Sequence, residues 1–444
     1  MKKHLTNAAF GVADYVSYPL GMLLVAPIVL HRLGAAEYGL WMVATAVVSA
    51  GGIIASGFCD ANIQRVARLR GAGRTEATVQ TVRSILGINL VLGLALGVFV
   101  WFAAPIAALR IAAARQLSLP ECLISLRIAG ALILVRAVES VAVSTQRAYQ
   151  HYRATVEISV AARLLTLACA AVLALAGLRA ISLLAATGVF LLLGCCLQFL
   201  KLRQLLDTTS LWPTFDREST CALLKFGAFL WFQALGGVIF AQFDRILLGV
   251  SMGAKVVAPY SLCVQFTQPV CGLAASGLNF LFPYLSSRIG SISTAELRKT
   301  VLKAFLCNFA AAGVCSAVLL LAGDRIIRLW AGAAVAQSAA PILPLILLGS
   351  ALTGLSVTGI YALQSLGQFR TVSIIGLGGR LAMLPVMIYL LHHMGLYGLA
   401  ISRVYLGAIA LLVYVPLARH LFAPVVDTTS SPTFPLALRE EPEL

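Results

Sequence analysis

Five arginines lie inside stretches otherwise apolar enough to cross a bilayer: Arg127, Arg136, Arg163, Arg380 and Arg403. A guanidinium in hydrocarbon costs roughly 3 kcal/mol or more, so it turns toward a wet cavity, a partner or the interface. It also keeps its charge when partly desolvated and donates paired bonds to phosphate oxygens. Several converging on one space would form a cationic cavity suited to an anionic head group such as a diphosphate.

Each arginine also has a plainer explanation. Arg136 and Glu139 are three residues apart and share a helix face, so an internal ion pair competes with a ligand role. Arg127 projects half a turn away from Arg136, near the outer end of the same segment, where it could snorkel. Arg163 can reach the inner interface as a simple anchor. Arg380 and Arg403 have no acidic residue in their own segments, which points them at a cavity. Asp14, Glu139 and Asp244 are the candidates for ion coupling or gating, which needs a carboxylate that changes partner between states. Packing and charge balance are the competing role for each. Asp14 stands one turn before Tyr18, with Pro19 loosening the backbone there, and Asp244 directly precedes Arg245.

The elements that must position these groups are membrane helices. Of the 444 residues, 60% are hydrophobic and 11% charged, and the mean hydropathy is +0.92. A soluble domain carries roughly a quarter of its residues as charges to keep its surface wet. The whole chain therefore reads as all-α and polytopic. Runs of about 20 apolar residues are the unit to count. They fall near 9–30, 39–61, 84–107, 122–144, 157–176, 181–200, 225–248, 255–279, 302–322, 339–361, 371–391 and 398–420, about twelve transmembrane helices. The runs are too long for barrel strands, and helices satisfy their own backbone bonds in lipid.

Lys and Arg set the orientation. With the N-terminus inside, twenty lie in cytoplasmic segments and eight in outer ones, so both termini are expected to be cytoplasmic. The net charge of +16 thus reflects membrane topology and implies no nucleic-acid partner. The expected layout is a six-helix bundle over 1–200, a cytoplasmic linker over 201–222, a second six-helix bundle over 223–422 and a loose cytoplasmic tail over 423–444. The basic segment from Asn62 to Thr81 is expected to lie along the anionic inner leaflet. No small-residue cleavage site precedes a soluble body, so the first apolar run is expected to stay as an anchor.

Catalytic signatures are missing. The sequence has no Gly-x-x-x-x-Gly-Lys-[Ser/Thr] phosphate loop, no His-Glu-x-x-His and no Gly-x-Ser-x-Gly. The ten cysteines show no metal-ligand spacing and lie mostly inside apolar runs. No enzyme activity, metal or cofactor is expected.

The two halves share a pattern. Phe10-Gly11 leads through one span to a turn, Arg32-Leu-Gly-Ala-Ala-Glu-Tyr38. Phe226-Gly227 leads through another to Met252-Gly-Ala-Lys-Val-Val-Ala-Pro-Tyr260, with Phe-to-Tyr separations of 28 and 34. An even number of spans per half gives the halves parallel topology, the layout of a transporter that rocks around a central path.

These residues, with Pro27-Ile-Val-Leu-His-Arg-Leu-Gly-Ala-Ala-Glu-Tyr-Gly-Leu-Trp41, Asp244-Arg-Ile-Leu-Leu-Gly249 and Phe282-Pro283-Tyr-Leu-Ser, resemble the polysaccharide-biosynthesis or O-antigen flippases. These are Wzx-type members of the superfamily that also holds multidrug extruders and lipid II flippases. The resemblance implies a multi-pass protein of the bacterial inner membrane that moves a lipid-linked oligosaccharide, typically on undecaprenyl diphosphate. Its partners would be membrane lipids and the glycosyltransferases and glycan polymerase of surface-polysaccharide assembly. The alternative within that superfamily is a cation-coupled drug exporter, which would be expected to carry acidic cavity residues where these spans lean to arginine. The enzyme-class rival is a membrane glycan polymerase or glycosyltransferase, which would usually show a large outer loop that is missing here.

Overall fold

The computed structural model describes residues 2–55, 58–112, 117–149, 151–208, 210–216, 220–221, 231, 242–278, 281, 285 and 293–422, with the side chains of 2–16, 19–20, 60, 64, 152, 276–277, 294 and 369 outside that description. All regular structure among them is helical. The first helices are α1 (Lys2–Ala55), α2 (Cys59–Gly71), α3 (Thr75–Ala112), α4 (Leu119–Ala148), α5 (Tyr152–Leu175) and α6 (Ala180–Leu206). A helical stretch at 242–252 follows. Then come α7 (Ala254–Gly277), α8 (Thr294–Ala331), α9 (Ala333–Ala339), α10 (Leu343–Ser365), α11 (Phe369–Ala410), a 3-10 turn at Leu411–Val413 and α12 (Tyr414–Phe422).

Seven helical stretches among the described residues are long and apolar enough to cross a membrane. Two of them are bent hairpins. α1 breaks at Gly34 (φ 83°, ψ 172°) and α11 at Gly395 (φ 58°, ψ −138°), so each consists of two legs. Gly253, between the 242–252 stretch and α7, has φ 84°, nearly that of Gly34. A side chain at either position would be strained, and the matching turns sit where the sequence repeat puts them. The expected span at 225–248 lies mostly outside the described residues, as does the tail 423–444. α3 begins at Thr75, nine residues before the expected start. Polar Glu76, Thr78 and Gln80 carry helix geometry past the apolar boundary, because hydropathy marks the bilayer and not the end of the hydrogen-bonded turns.

Local chemistry sets several ends. Ser118 and Glu121 form a reciprocal capping box at the start of α4 (3.4 and 3.2 Å), with Pro120 in its first turn. Ser293 caps α8 by accepting from the Glu296 N–H at 3.3 Å. The linker after α6 turns at left-handed Asp207 (φ 47°) and docks on α3. Arg83 donates to the Ser210 carbonyl at 2.9 Å, and the Thr214 N–H donates to the Arg83 carbonyl at 3.3 Å.

The packing is that of a protein in lipid. Phe102, Leu321 and Leu329 are 75%, 83% and 86% exposed, facing outward where hydrocarbon replaces water. Polar side chains are buried between helices instead. Asn62 donates to Ser144 and Thr145 (2.9 Å each), Gln146 to Gln198 (2.7 Å), Gln198 to the Thr155 carbonyl (3.0 Å), and Asn308 to the Gly354 carbonyl and Thr358 (3.0 and 3.1 Å). Such bonds hold membrane helices together where apolar burial cannot. Asn62 and Val66 tie α2 into this core, so the basic segment is anchored on one face.

α1 packs on α4 and α5, α3 on α4, and α6 on α4 and α5, while α10 packs on α7, α8 and α11. The main bridge between these sets is α1 against α7. There Gly39 lets the backbones touch, since a Cβ on it would run into the Ala254 carbonyl. Fully buried Tyr38, Trp41 and Tyr260 fill the same end.

Candidate functional site

A cavity of about 740 Å³ opens between these helices. Its described lining takes Tyr18, Met22, Met42 and Ser49 from the two legs of α1, Gln242 and Arg245 from the 242–252 stretch, and Gln265 and Gln268 from α7. It runs along α10 from Gly349 to Gln364, about 22 Å of helix. Arg380 and Arg403, from the two legs of α11, complete it. Three arginines and no carboxylate appear in this lining.

Asp244, Tyr260 and Arg403 form a cluster at the cavity wall. Arg403 Nη2 pairs with Asp244 Oδ2, and Nε donates to the same oxygen at 3.1 Å and to the Tyr260 hydroxyl at 2.8 Å. The Tyr260 hydroxyl donates to Asp244 Oδ2 at 2.5 Å, and the other carboxylate oxygen accepts the Arg245 backbone N–H at 2.7 Å. Asp244 is 3% exposed. A carboxylate so buried needs this compensation, since one left alone would cost several kcal/mol. Helical rise places Arg403 about 12 Å beyond Gly395, and Tyr260 about 10 Å beyond Gly253, between the glycine turns and the cavity.

This geometry adds what spacing along one helix does not show. Arg403, with no acidic residue in its own segment, lines the cavity and is paired with Asp244. The partner comes from another helix, which no count within one span can reveal. Asp244 and Arg245, adjacent in sequence, do not pair through their side chains. Neighbours on a helix point about 100° apart, so Asp244 faces Arg403 while Arg245 lines the cavity.

The other predicted residues divide. Arg380 lines the cavity. Arg136 pairs with Glu139 at 2.8 Å, the Glu139 side chain being 7% exposed and Arg136 38%. Arg127 is not in the lining; its guanidinium lies 4.6 Å from the centre of the Trp101 ring at the α3–α4 contact. Arg163 is half-buried on α5. Tyr18 lines the cavity from the first leg of α1. The side chain of Asp14 lies outside the described residues. Among the described residues, no group of three or more His, Cys, Asp or Glu is placed to hold a metal.

Sequence reasoning missed Arg245, at the end of the 225–248 run, and the glutamines at 242 and 265. Gln242 and Arg245 are three apart and share a helix face, a local signal that was available. Gln265 offered none.

Beside the Gly34 turn, Arg179 in the α5–α6 turn pairs with Glu121 of α4 and lies 3.9 Å from Glu37, whose carboxylate also accepts the Ala180 N–H at 2.8 Å. This clamp ties the Gly34 turn to α4 and α6.

Comparison with known proteins agrees with this architecture. A Shigella flexneri protein described as an O-antigen transporter is 26% identical over 195 residues, which make up 43% of this chain and 45% of that protein. The match thus spans less than half the length of that relative. An inward-facing multidrug resistance MATE family transporter of the MOP superfamily superposes with a TM-score of 0.71 at 16% identity, over 92% of this chain and 98% of the other. The lipid II flippase MurJ in an inward closed conformation superposes at 0.72 and 14% identity, over 93% and 87%. An outward-facing MATE structure superposes at 0.53 and 17% identity, over 91% and 94%. These structural matches show a shared fold. The family model for polysaccharide biosynthesis proteins matches residues 29–307, and the chain, a multi-pass membrane protein, belongs to that family.

Proposed function

We propose that this protein is a flippase that moves a lipid-linked oligosaccharide, a glycan on undecaprenyl diphosphate, across the bacterial inner membrane for surface-polysaccharide synthesis. The observation that carries this reading is the cavity wall, which holds Arg245, Arg380 and Arg403 and no carboxylate among its described residues. Asp244 balances one of these charges. An arginine-lined wall in a low-dielectric space suits a diphosphate. It also repels the cationic compounds that a drug exporter would carry, which makes that alternative the weaker one.

The reading takes twelve helices in two six-helix halves, with both termini cytoplasmic and the cargo path between the halves. Close contact of Gly39 with Ala254 shuts one end, and the cavity extends along α10 toward its C-terminal turn, the cytoplasmic end in this topology. The higher score against the inward-facing MATE structure than against the outward-facing one supports the same state. Rocking that separates the α1–α7 contact would then open the other end. The chain makes or breaks no bonds in this scheme. Glycosyltransferases supply its cargo inside, and a glycan polymerase consumes it outside.

Arg245→Ala and Arg380→Ala, made singly in cells lacking the native protein, are expected to stop surface-glycan display. Undecaprenyl-linked oligosaccharide should accumulate on the inner side, with drug sensitivity unchanged. Normal display in both variants would rule the reading out.

A further inference from the structure

We infer that the deep wall of the cavity, formed by Gln242, Arg245 and Gln265, is a sugar-reading subsite. The inference rests on the flippase reading above and names what part of the cargo this wall selects. One atom of each side chain is buried without a hydrogen-bond partner: Oε1 of Gln242, Oε1 of Gln265 and Nε of Arg245. All three residues line the same cavity, and they come from two neighbouring helical segments, 242–252 and α7.

The two amides are incompletely used whichever way they are turned. Gln265 has the Tyr38 hydroxyl at 3.2 Å and Gln242 the Ser49 hydroxyl at 3.4 Å. Exchanging the amide O and N moves the unused atom from an acceptor to a donor but does not remove it. A sugar hydroxyl meets either case, because it both donates and accepts. An apolar ligand meets neither. Arg245 supplies a donor only, for a ring, glycosidic or acetamido oxygen. A hydroxylated ligand supplies partners of both kinds that these side chains take, so the wall discriminates by hydrogen-bonding type. Arg380 lies on a different helix of the lining, so the charge it offers a diphosphate is separate from the two glutamines, with Arg245 bordering both.

The test uses the full chain in nanodiscs and two probes: a polyprenyl diphosphate carrying one N-acetylhexosamine, and the same carrier without sugar. The wild type is expected to bind the sugar-bearing probe at least tenfold more tightly. Gln242→Leu, which disturbs only one long bond to Ser49, is expected to cut that ratio about tenfold, and Gln265→Leu to do the same. Equal affinity of the wild type for the two probes would overturn the subsite, as would a Gln242→Leu variant that changes both affinities by the same factor. Failure of the wild type to bind either carrier would sink the flippase reading itself, and the subsite with it.

Discussion

Replacing Arg403 with Met tests whether the Asp244–Tyr260–Arg403 cluster is a true buried ion pair. The substitution keeps an unbranched side chain of similar reach and removes three hydrogen bonds, two to Asp244 Oδ2 and one to Tyr260. Asp244, 3% exposed, is left with the Tyr260 hydroxyl and one backbone N–H. An uncompensated buried carboxylate costs about 3–5 kcal/mol. Asp244→Asn should cost less, about 1–3 kcal/mol, because the Arg403 side chain is 22% exposed and borders the cavity, where water can reach it. The double variant should be more stable than Arg403→Met alone, since no stranded charge remains. Thermal unfolding of purified protein in detergent measures all four corners of the cycle. For a cooperative unit of about 200 residues, the Arg403→Met loss corresponds to roughly 6–20 °C. A double-variant cost equal to the sum of the singles within about 0.5 kcal/mol would refute the pairing, as would an Arg403→Met variant as stable as the wild type.

Two further outcomes are expected. Gln198→Leu removes the side-chain bond from Gln146 (2.7 Å) and the bonds to the Thr155 carbonyl and Ser159 (3.0 and 3.2 Å), so it should lower stability by about 2–3 kcal/mol in the same unfolding assay. Gly39→Val drives a side chain into the Ala254 carbonyl and should cut surface-glycan export at least tenfold at normal membrane levels, whereas Gly71→Ala, with nothing within 4 Å, should leave export unchanged. Equal export from both glycine variants, measured by glycan display, would show that the α1–α7 contact is dispensable.

Much of the architecture is legible in the residues alone. Apolar runs of membrane length leave helices as the only workable form, and the repeated turn containing Gly34 and Gly253 has a positive φ at its glycine in both places. The Arg136–Glu139 pair follows from a three-residue spacing on one helix face. The same local rules could not reach the site. Asp244 and Arg403 are 159 residues apart, and the partner of a buried charge depends on which helix packs beside it. Arg127 and Arg403 look alike in sequence, yet one rests on Trp101 and the other closes an ion pair at the cavity. Arg245 stands at the end of the 225–248 apolar run, where one charge reads as the bilayer boundary. In the fold it is a cavity residue beside two glutamines. The sequence by itself therefore determines that the protein is helical, lies in a membrane and carries arginine within its spans. Which arginines share one space was decided only by tertiary packing, because helix periodicity fixes the face on which a side chain lies and the neighbouring helices fix what that face meets.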